Sequence, residues 1–215
     1  MKTLIIVIII LLSLLAAPLS LRAVAVNRKK QEMDMSNQET KPDLLFRKGP
    51  EVTIRDADLE DMPFILDLNR VNVEVLSPMD EEKYQYFLGV SEMFQVAEVG
   101  GKPAAFLIAL REGLPDYTSE NYIWFSNTYD QFLYVDRIVI DEFYRGCGLG
   151  RKIYEGVFQR AEETGVAFVT AEIDIVPYNG PSLKFHEAMG FEEVGQQVIR
   201  GGEIKVSLQA RKIGE

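Results

Sequence analysis

The chain has 215 residues, 47% of them hydrophobic, which is enough for one domain with a full core and leaves little room for a second. A single cysteine, Cys147, excludes an intramolecular disulfide, and no cluster of metal-ligating residues is visible. From residue 47 onward 17 basic side chains face 29 acidic ones, a charge of −12, so the surface repels nucleic acid and anionic lipid, and either attracts a cationic amine or serves solubility alone.

The run from Thr3 to Leu21 carries no charge and, at about 1.5 Å per residue, is just long enough to cross a hydrocarbon core. Residues 1–26 therefore read as a hydrophobic membrane anchor or a signal segment. Lys2, Leu4 to Leu15, Pro18 and Ala23-Val24-Ala25 follow the order of a cleaved signal peptide, whereas Arg22, Arg28, Lys29 and Lys30 after the run keep the carboxy-terminal side in the cytosol. The expectation is an N-terminal hydrophobic helix, single-pass, with a cytosol-facing domain. The alternatives are a secreted or lumenal product after cleavage, and a cytoplasmic one if translation starts at Met33 or Met35. Residues 27–46 are polar and read as a linker, and 47–215 as one domain.

Within that domain, Val52 to Arg55 reads as a strand and Asp56 as the N-cap of a helix over Ala57 to Val71, where Pro63 is tolerable only near the start. A helix over Glu81 to Glu92 follows, then a hairpin of Phe94 to Val99 and Pro103 to Leu110 around Gly100-Gly101. Leu114 to Phe125 and Tyr129 form a long aromatic-rich insertion before the central strand, Phe132 to Ile140. From Gly150 to Thr164, apolar Ile153, Val157, Phe158 and Ala161 recur at helical spacing and stop at Gly165. In the next strand, Val166 to Ile175, Thr170, Glu172 and Asp174 share one face while Ala171, Ile173 and Ile175 share the other. Pro181 to Met189 is a short helix stopped by Gly190, and Glu193 to Ile199 pairs with Glu203 to Gln209 across Gly201-Gly202. The class is α/β, a mixed and mostly antiparallel central sheet flanked by helices.

Between the central strand and the long helix lies Arg145-Gly146-Cys147-Gly148-Leu149-Gly150-Arg151. Alternate glycines let a turn close tightly with its N–H groups bare, and a helix starting there adds the positive end of its dipole, so the predicted guest is a pyrophosphate. Gly150 is followed by Arg151-Lys152-Ile153 rather than Lys-Ser/Thr, which opposes a nucleotide-hydrolysing loop. The spacing and late position also oppose a dinucleotide fingerprint. Some 30 residues on comes Asn179-Gly180-Pro181-Ser182-Leu183-Lys184-Phe185-His186-Glu187-Ala188-Met189-Gly190-Phe191.

The two motifs together resemble the GNAT superfamily of N-acetyltransferases over roughly residues 47 to 210. Phe132 to Val139, Leu76 to Asp80 and Phe185-His186 look like a bacterial-type group without an assigned substrate. The resemblance implies acetyl-CoA as acetyl donor. Its pyrophosphate would lie on Arg145, Gly146, Cys147, Gly148, Leu149, Gly150 and Arg151, and its pantetheine arm beside Ile138, Val139 and Ile140. Asn179 would contact that arm or cap the second helix. An alkyl amine is protonated at neutral pH, so a carboxylate or a water it polarises must remove a proton. Glu172 is the first candidate, on the strand where the family often places its base. Asp136 is the second, with a buried pair to Arg137 as its structural alternative. His186 stands where many members carry a tyrosine that donates a proton to the departing thiolate, and Tyr178 and Tyr134 are alternative donors.

Tyr117, Tyr122 and Trp124, with Asp116 and Glu120, form a plausible acceptor wall. The expected function is direct transfer of acetyl from acetyl-CoA to a primary amine of a small molecule or peptide; the alternative is a catalytically inactive, CoA-binding or regulatory module of the same fold. No nucleic acid and no metal is expected as a partner, a membrane is expected through the N-terminal segment, and a homodimer is left open.

Overall fold

The computed structural model describes residues 51–73 and 76–214. The anchor or signal segment expected at 1–26 and the linker at 27–46 lie outside the described residues, among which no helix is long and apolar enough to cross a membrane.

Strand β1 (Val52–Asp56) leads into a 3-10 turn (Leu59–Asp61) and helix α1 (Met62–Arg70). The expected single helix from Ala57 is thus corrected. Asp58, not Asp56, is the cap: its carboxylate accepts from Glu60 N at 2.8 Å, and Asp61 reciprocates on Asp58 N at 3.0 Å. Pro63 falls in the first turn of α1, where its missing N–H costs nothing. Asp80 caps α2 (Glu81–Val90), accepting from Lys83 N at 2.9 Å. Strands β2 (Met93–Val99) and β3 (Lys102–Arg111) join through Gly100 and Gly101, whose φ of +60° and +75° suit glycine. The aromatic-rich insertion holds a helix, α3 (Glu120–Thr128), capped by Ser119. Then come β4 (Phe132–Ile140), α4 (Leu149–Thr164), β5 (Phe168–Val176), α5 (Gly180–Ala188), β6 (Glu192–Ile199) and β7 (Ile204–Lys212).

The seven strands run in the order β1-β2-β3-β4-β5-β7-β6, every pairing antiparallel except β4 with β5. Two irregularities in the middle of this sheet make the site. First, β4 and β5 pair only at Phe132 to Tyr134 with Phe168 to Thr170, although both strands continue for six more residues. Beyond that point the strands part and the β5-facing edge of β4 has no strand partner. Second, β4 bulges. Val135 pairs with Ala109 and Arg137 with Ile108, leaving Asp136 as the extra residue. Strict alternation would put Arg137 on the face of Leu133 and Val135. The bulge shifts the parity, so Arg137 and Val139 follow Phe132 and Tyr134 on one face, while Ile138 and Ile140 join Leu133 and Val135 on the other.

Each face carries a core. One packs Leu149, Ile153, Tyr154, Val157, Phe158 and Ala161 of α4 on the sheet; the other packs Ile65, Tyr84, Phe87, Tyr122 and Phe125 of α1, α2 and α3. The parting of β4 and β5 opens between them.

Candidate active site

Gly146 and Gly148 hold φ of +80° and +83°, and a Cβ at either would meet only open space. Their role is the turn itself, since any other residue would be strained there. Gly150 acts by close approach: a Cβ would sit 3.3 Å from both Ile140 Cδ1 and Phe185 Cζ. Helix α4 starts at once after Gly148 with no side-chain cap and no acidic residue in its first turn, so its first amides are left without a side-chain acceptor and suit an anion. Arg145 is turned back onto the protein, donating from Nε to Ile140 O at 3.0 Å and from its terminal nitrogen to Asn72 Oδ1 at 2.9 Å. It therefore braces the turn while keeping its charge beside it; Arg151 is exposed on the first turn of α4, and Cys147 is partly buried.

A cavity of about 560 Å³ fills the parting of the strands. Val135, Ile138, Tyr154, Ala171, Ile173, Asn179, Ser182 and His186 line it on the side of α4 and α5. Lys83, Tyr86, Tyr117, Asn121, Asp136, Arg137, Glu172, Asp174 and Arg200 line it on the other. Glu172 and Asp136 are thus brought together with His186 in one space. Asn179 caps α5, its Oδ1 accepting from Ser182 N at 3.3 Å while it borders the cavity.

Glu172 has capacity to spare. Like Asp174 Oδ2 and the Tyr134 hydroxyl, its Oε2 is buried without a hydrogen-bond partner. Burial, with the charge of Asp136 second, pushes its pKa up to about 8 against the pull of Tyr134 and Asn121. Asp136 is in the opposite condition. Tyr117 donates its hydroxyl to Oδ1 and Arg137 donates Nε to Oδ2 at 2.6 Å, so both carboxylate oxygens are engaged. Arg137 is itself held by Asn69 Oδ1 at 2.7 Å and Ser77 Oγ at 3.0 Å, with its guanidinium over the Phe87 ring. Asp136 is a fixed negative charge beside Glu172.

His186 is buried, and both its nitrogens have partners. Nδ1 lies 2.8 Å from the Ser182 carbonyl, which can only accept, so Nδ1 carries the proton and Nε2 accepts from Tyr154 Oη at 2.7 Å. Burial lowers the histidine's pKa, which keeps the ring neutral. Tyr178, an alternative donor, is 74% exposed and lies over Gly180 rather than on the cavity.

The expected acceptor wall is corrected in part. Tyr117 lines the cavity, but Tyr122 is a core residue, its hydroxyl donating to Arg111 O at 2.7 Å and accepting from Leu114 N at 3.1 Å. Trp124 packs against Phe125 and the backbone at Gly195. The helical period of α3 explains this: Tyr122 and Phe125 turn to the sheet and Asn121 to the cavity. Tyr154, which lines the cavity, is not marked in the sequence, because positions 154, 157, 158 and 161 make an ordinary buried helix stripe and nothing in its spacing sets it apart. Among the described residues no group of three or more His, Cys, Asp or Glu could hold a metal ion.

No curated protein matches the chain in sequence at a significant level. Many solved structures share its fold. The ribosomal-protein-S18-alanine N-acetyltransferase from Escherichia coli is 20% identical with a TM-score of 0.57, covering 77% of this chain and 96% of its own. Arabidopsis thaliana NAA60, solved in complex with acetyl-CoA, is 16% identical with a TM-score of 0.62, covering 76% and 100%. Ard1 from Thermoplasma volcanium is 14% identical with a TM-score of 0.62, covering 76% and 99%. At these identities the likeness is one of fold. Residues 59–191, well over half the chain, match the acetyltransferase (GNAT) family itself, and the protein belongs to that family of acyl-transferring enzymes.

Proposed function

We propose that the protein is an acetyl-CoA-dependent N-acetyltransferase that moves acetyl directly to a primary amine of a small molecule or peptide. The observation that carries this reading is Glu172, a carboxyl on the wall of the cavity between the parted strands, with an unpartnered oxygen and a pKa of about 8. An ordinary carboxylate is a poor match for an alkylammonium, whereas one raised toward 8 takes its proton with far less penalty. Asp136 contributes charge rather than a free lone pair, holding the proton affinity of Glu172 up.

Acetyl-CoA supplies the acyl group as a thioester, already activated. The turn amides from Arg145 to Gly150 and the uncapped start of α4 are suited to its pyrophosphate. The unpaired edge of β4 around Ile138 and Val139 is suited to the amides of its pantetheine arm. The proton returned to the sulfur comes from the Tyr154 hydroxyl once it turns away from His186 Nε2, and the proton that Glu172 takes from the amine goes to solvent, from which the phenol is restored. A histidine at a position where the family often has tyrosine is the feature that would favour a module without chemistry. Tyr154 brings a phenol back into the cavity through that same histidine, which favours the enzyme.

The test is thiol release from acetyl-CoA by the full chain with a panel of primary amines, alongside calorimetry of coenzyme binding. Release that is lost in Glu172→Gln while coenzyme binding persists supports the reading; binding with no release for any primary amine would overturn it.

A further inference from the structure

The cavity wall bears two cations that acetyl transfer does not use. Lys83 on α2 is half-buried; its ammonium reaches Ser77 Oγ at 3.1 Å and lies 5.8 Å from the Phe87 ring centre. Arg200 stands on the turn between β6 and β7, where its backbone N–H meets Glu120 Oε1 at 3.4 Å. Among the described residues no carboxylate forms an ion pair with either side chain. Among the same residues Arg145, Arg151, Lys152 and Arg211 also make no ion pair, so what sets Lys83 and Arg200 apart is that both border one cavity. Arg137, the third cation of the wall, is by contrast consumed by Asp136, Asn69 and Ser77.

The backbone adds a second, independent sign. Arg200 has φ of +51°, the one non-glycine residue among those described in the left-handed region, and it directly precedes Gly201 and Gly202, which would adopt that conformation freely. A side chain kept at such a position against a standing cost points to a use for the side chain.

The acids of the wall form no ion pair with either cation. Both oxygens of Asp136 are engaged by Tyr117 and Arg137, Asp174 on β5 feels the charge of Arg200 without contacting it, and Asp116 and Glu120 are exposed. Burial above all, then Arg137 and more weakly Arg200, depress the pKa of Lys83 against Asp136 and Asp80.

Resting on the acetyl-transfer reading of the same cavity, we infer that Lys83 and Arg200 together receive a carboxylate of the acceptor. The amine that is acetylated then belongs to an amino acid or another small aminocarboxylate, rather than to an alkylamine or a polyamine. Its nitrogen is directed to Glu172 and its carboxylate to the two cations.

The experiment compares ω-amino acids of increasing length, and the common α-amino acids, with n-alkylamines and diamines of matched length, in thiol release by the full chain. The best aminocarboxylate should exceed its alkylamine counterpart in kcat/KM by about tenfold to a hundredfold, the worth of charge-assisted hydrogen bonds. Lys83→Met and Arg200→Gln should each collapse that ratio, and Lys83→Arg should keep most of it. Arg200 is exposed, so a folding defect in Lys83→Met cannot hide the result. Alkylamines or diamines that match the aminocarboxylates overturn the inference and leave acetyl transfer standing. If no amine is acetylated, calorimetry of the same compounds decides: aminocarboxylate binding lost in Arg200→Gln keeps the carboxylate site while the acetyl-transfer reading falls, and no such binding overturns both.

Discussion

The hydroxyl of Tyr154 on α4 donates a 2.7 Å hydrogen bond to Nε2 of His186 on α5, inside the cavity and out of solvent. The Ser182 carbonyl on Nδ1 dictates this polarity, because it fixes the tautomer of the ring. Burial, with Glu172 second, pushes the phenol's pKa far up, so it stays protonated and able to donate.

Tyr154→Phe should therefore lower kcat with little change in the KM for acetyl-CoA, in single-turnover and steady-state assays. It also strands a buried imidazole nitrogen, at a cost of about 1–3 kcal/mol in denaturant unfolding. The pair should behave as a unit: adding His186→Phe to Tyr154→Phe should lower kcat less than His186→Phe does alone.

Asp136 is the second cause of the raised pKa of Glu172 after burial. In the wild type kcat/KM should rise with pH through about 8, as Glu172 ionises. Asp136→Asn removes the neighbouring charge, so the limb should move to lower pH. Glu172→Gln should remove it altogether, with kcat/KM down by about a hundredfold to a thousandfold.

The same group predicts a dependence of stability on pH. Its folded pKa, about 8, lies above the unfolded value near 4.5, so between those limits the folded state binds more protons. The contribution is fully present below about 4.5 and is lost as pH rises to about 8. Chemical denaturation of wild type and Glu172→Gln from pH 5 to 9 should show the wild type losing ground relative to the variant up to about pH 8, then running parallel to it.

Gly148 separates conformation from contact. A Cβ there meets nothing within 4 Å, so Gly148→Ala is penalised only through its φ of +83°, by about 1–2 kcal/mol. The turn can relieve that strain by giving up its shape, so the KM for acetyl-CoA should rise with only a small loss of Tm.

What the sequence discloses and what it hides differ by physical cause. The glycine turn, the Phe132–Ile140 strand and the Gly165 stop are local signals, and they stand where expected. The shared face of Thr170, Glu172 and Asp174 follows from a period of two. The Asp136 bulge is invisible in the residues, because it is set by registry with β3; it turns Arg137 toward Asn69, 68 positions away in the chain. Tyr122 and Tyr154 show the other limit. Both are aromatics on amphipathic helices, one spent on the core and one on the cavity, and only the packing of α3 and α4 tells them apart.

Three residue pairs join β4 to β5 before the strands part. Seen mechanically, the molecule is a four-stranded half and a three-stranded half stitched by a short seam, with the rest of the join left to helices and to whatever occupies the gap. The backbone amides of Val135 to Val139 belong on their open side to neither half. Occupying the gap should slow their hydrogen exchange first, and should make two halves that can breathe separately unfold as one.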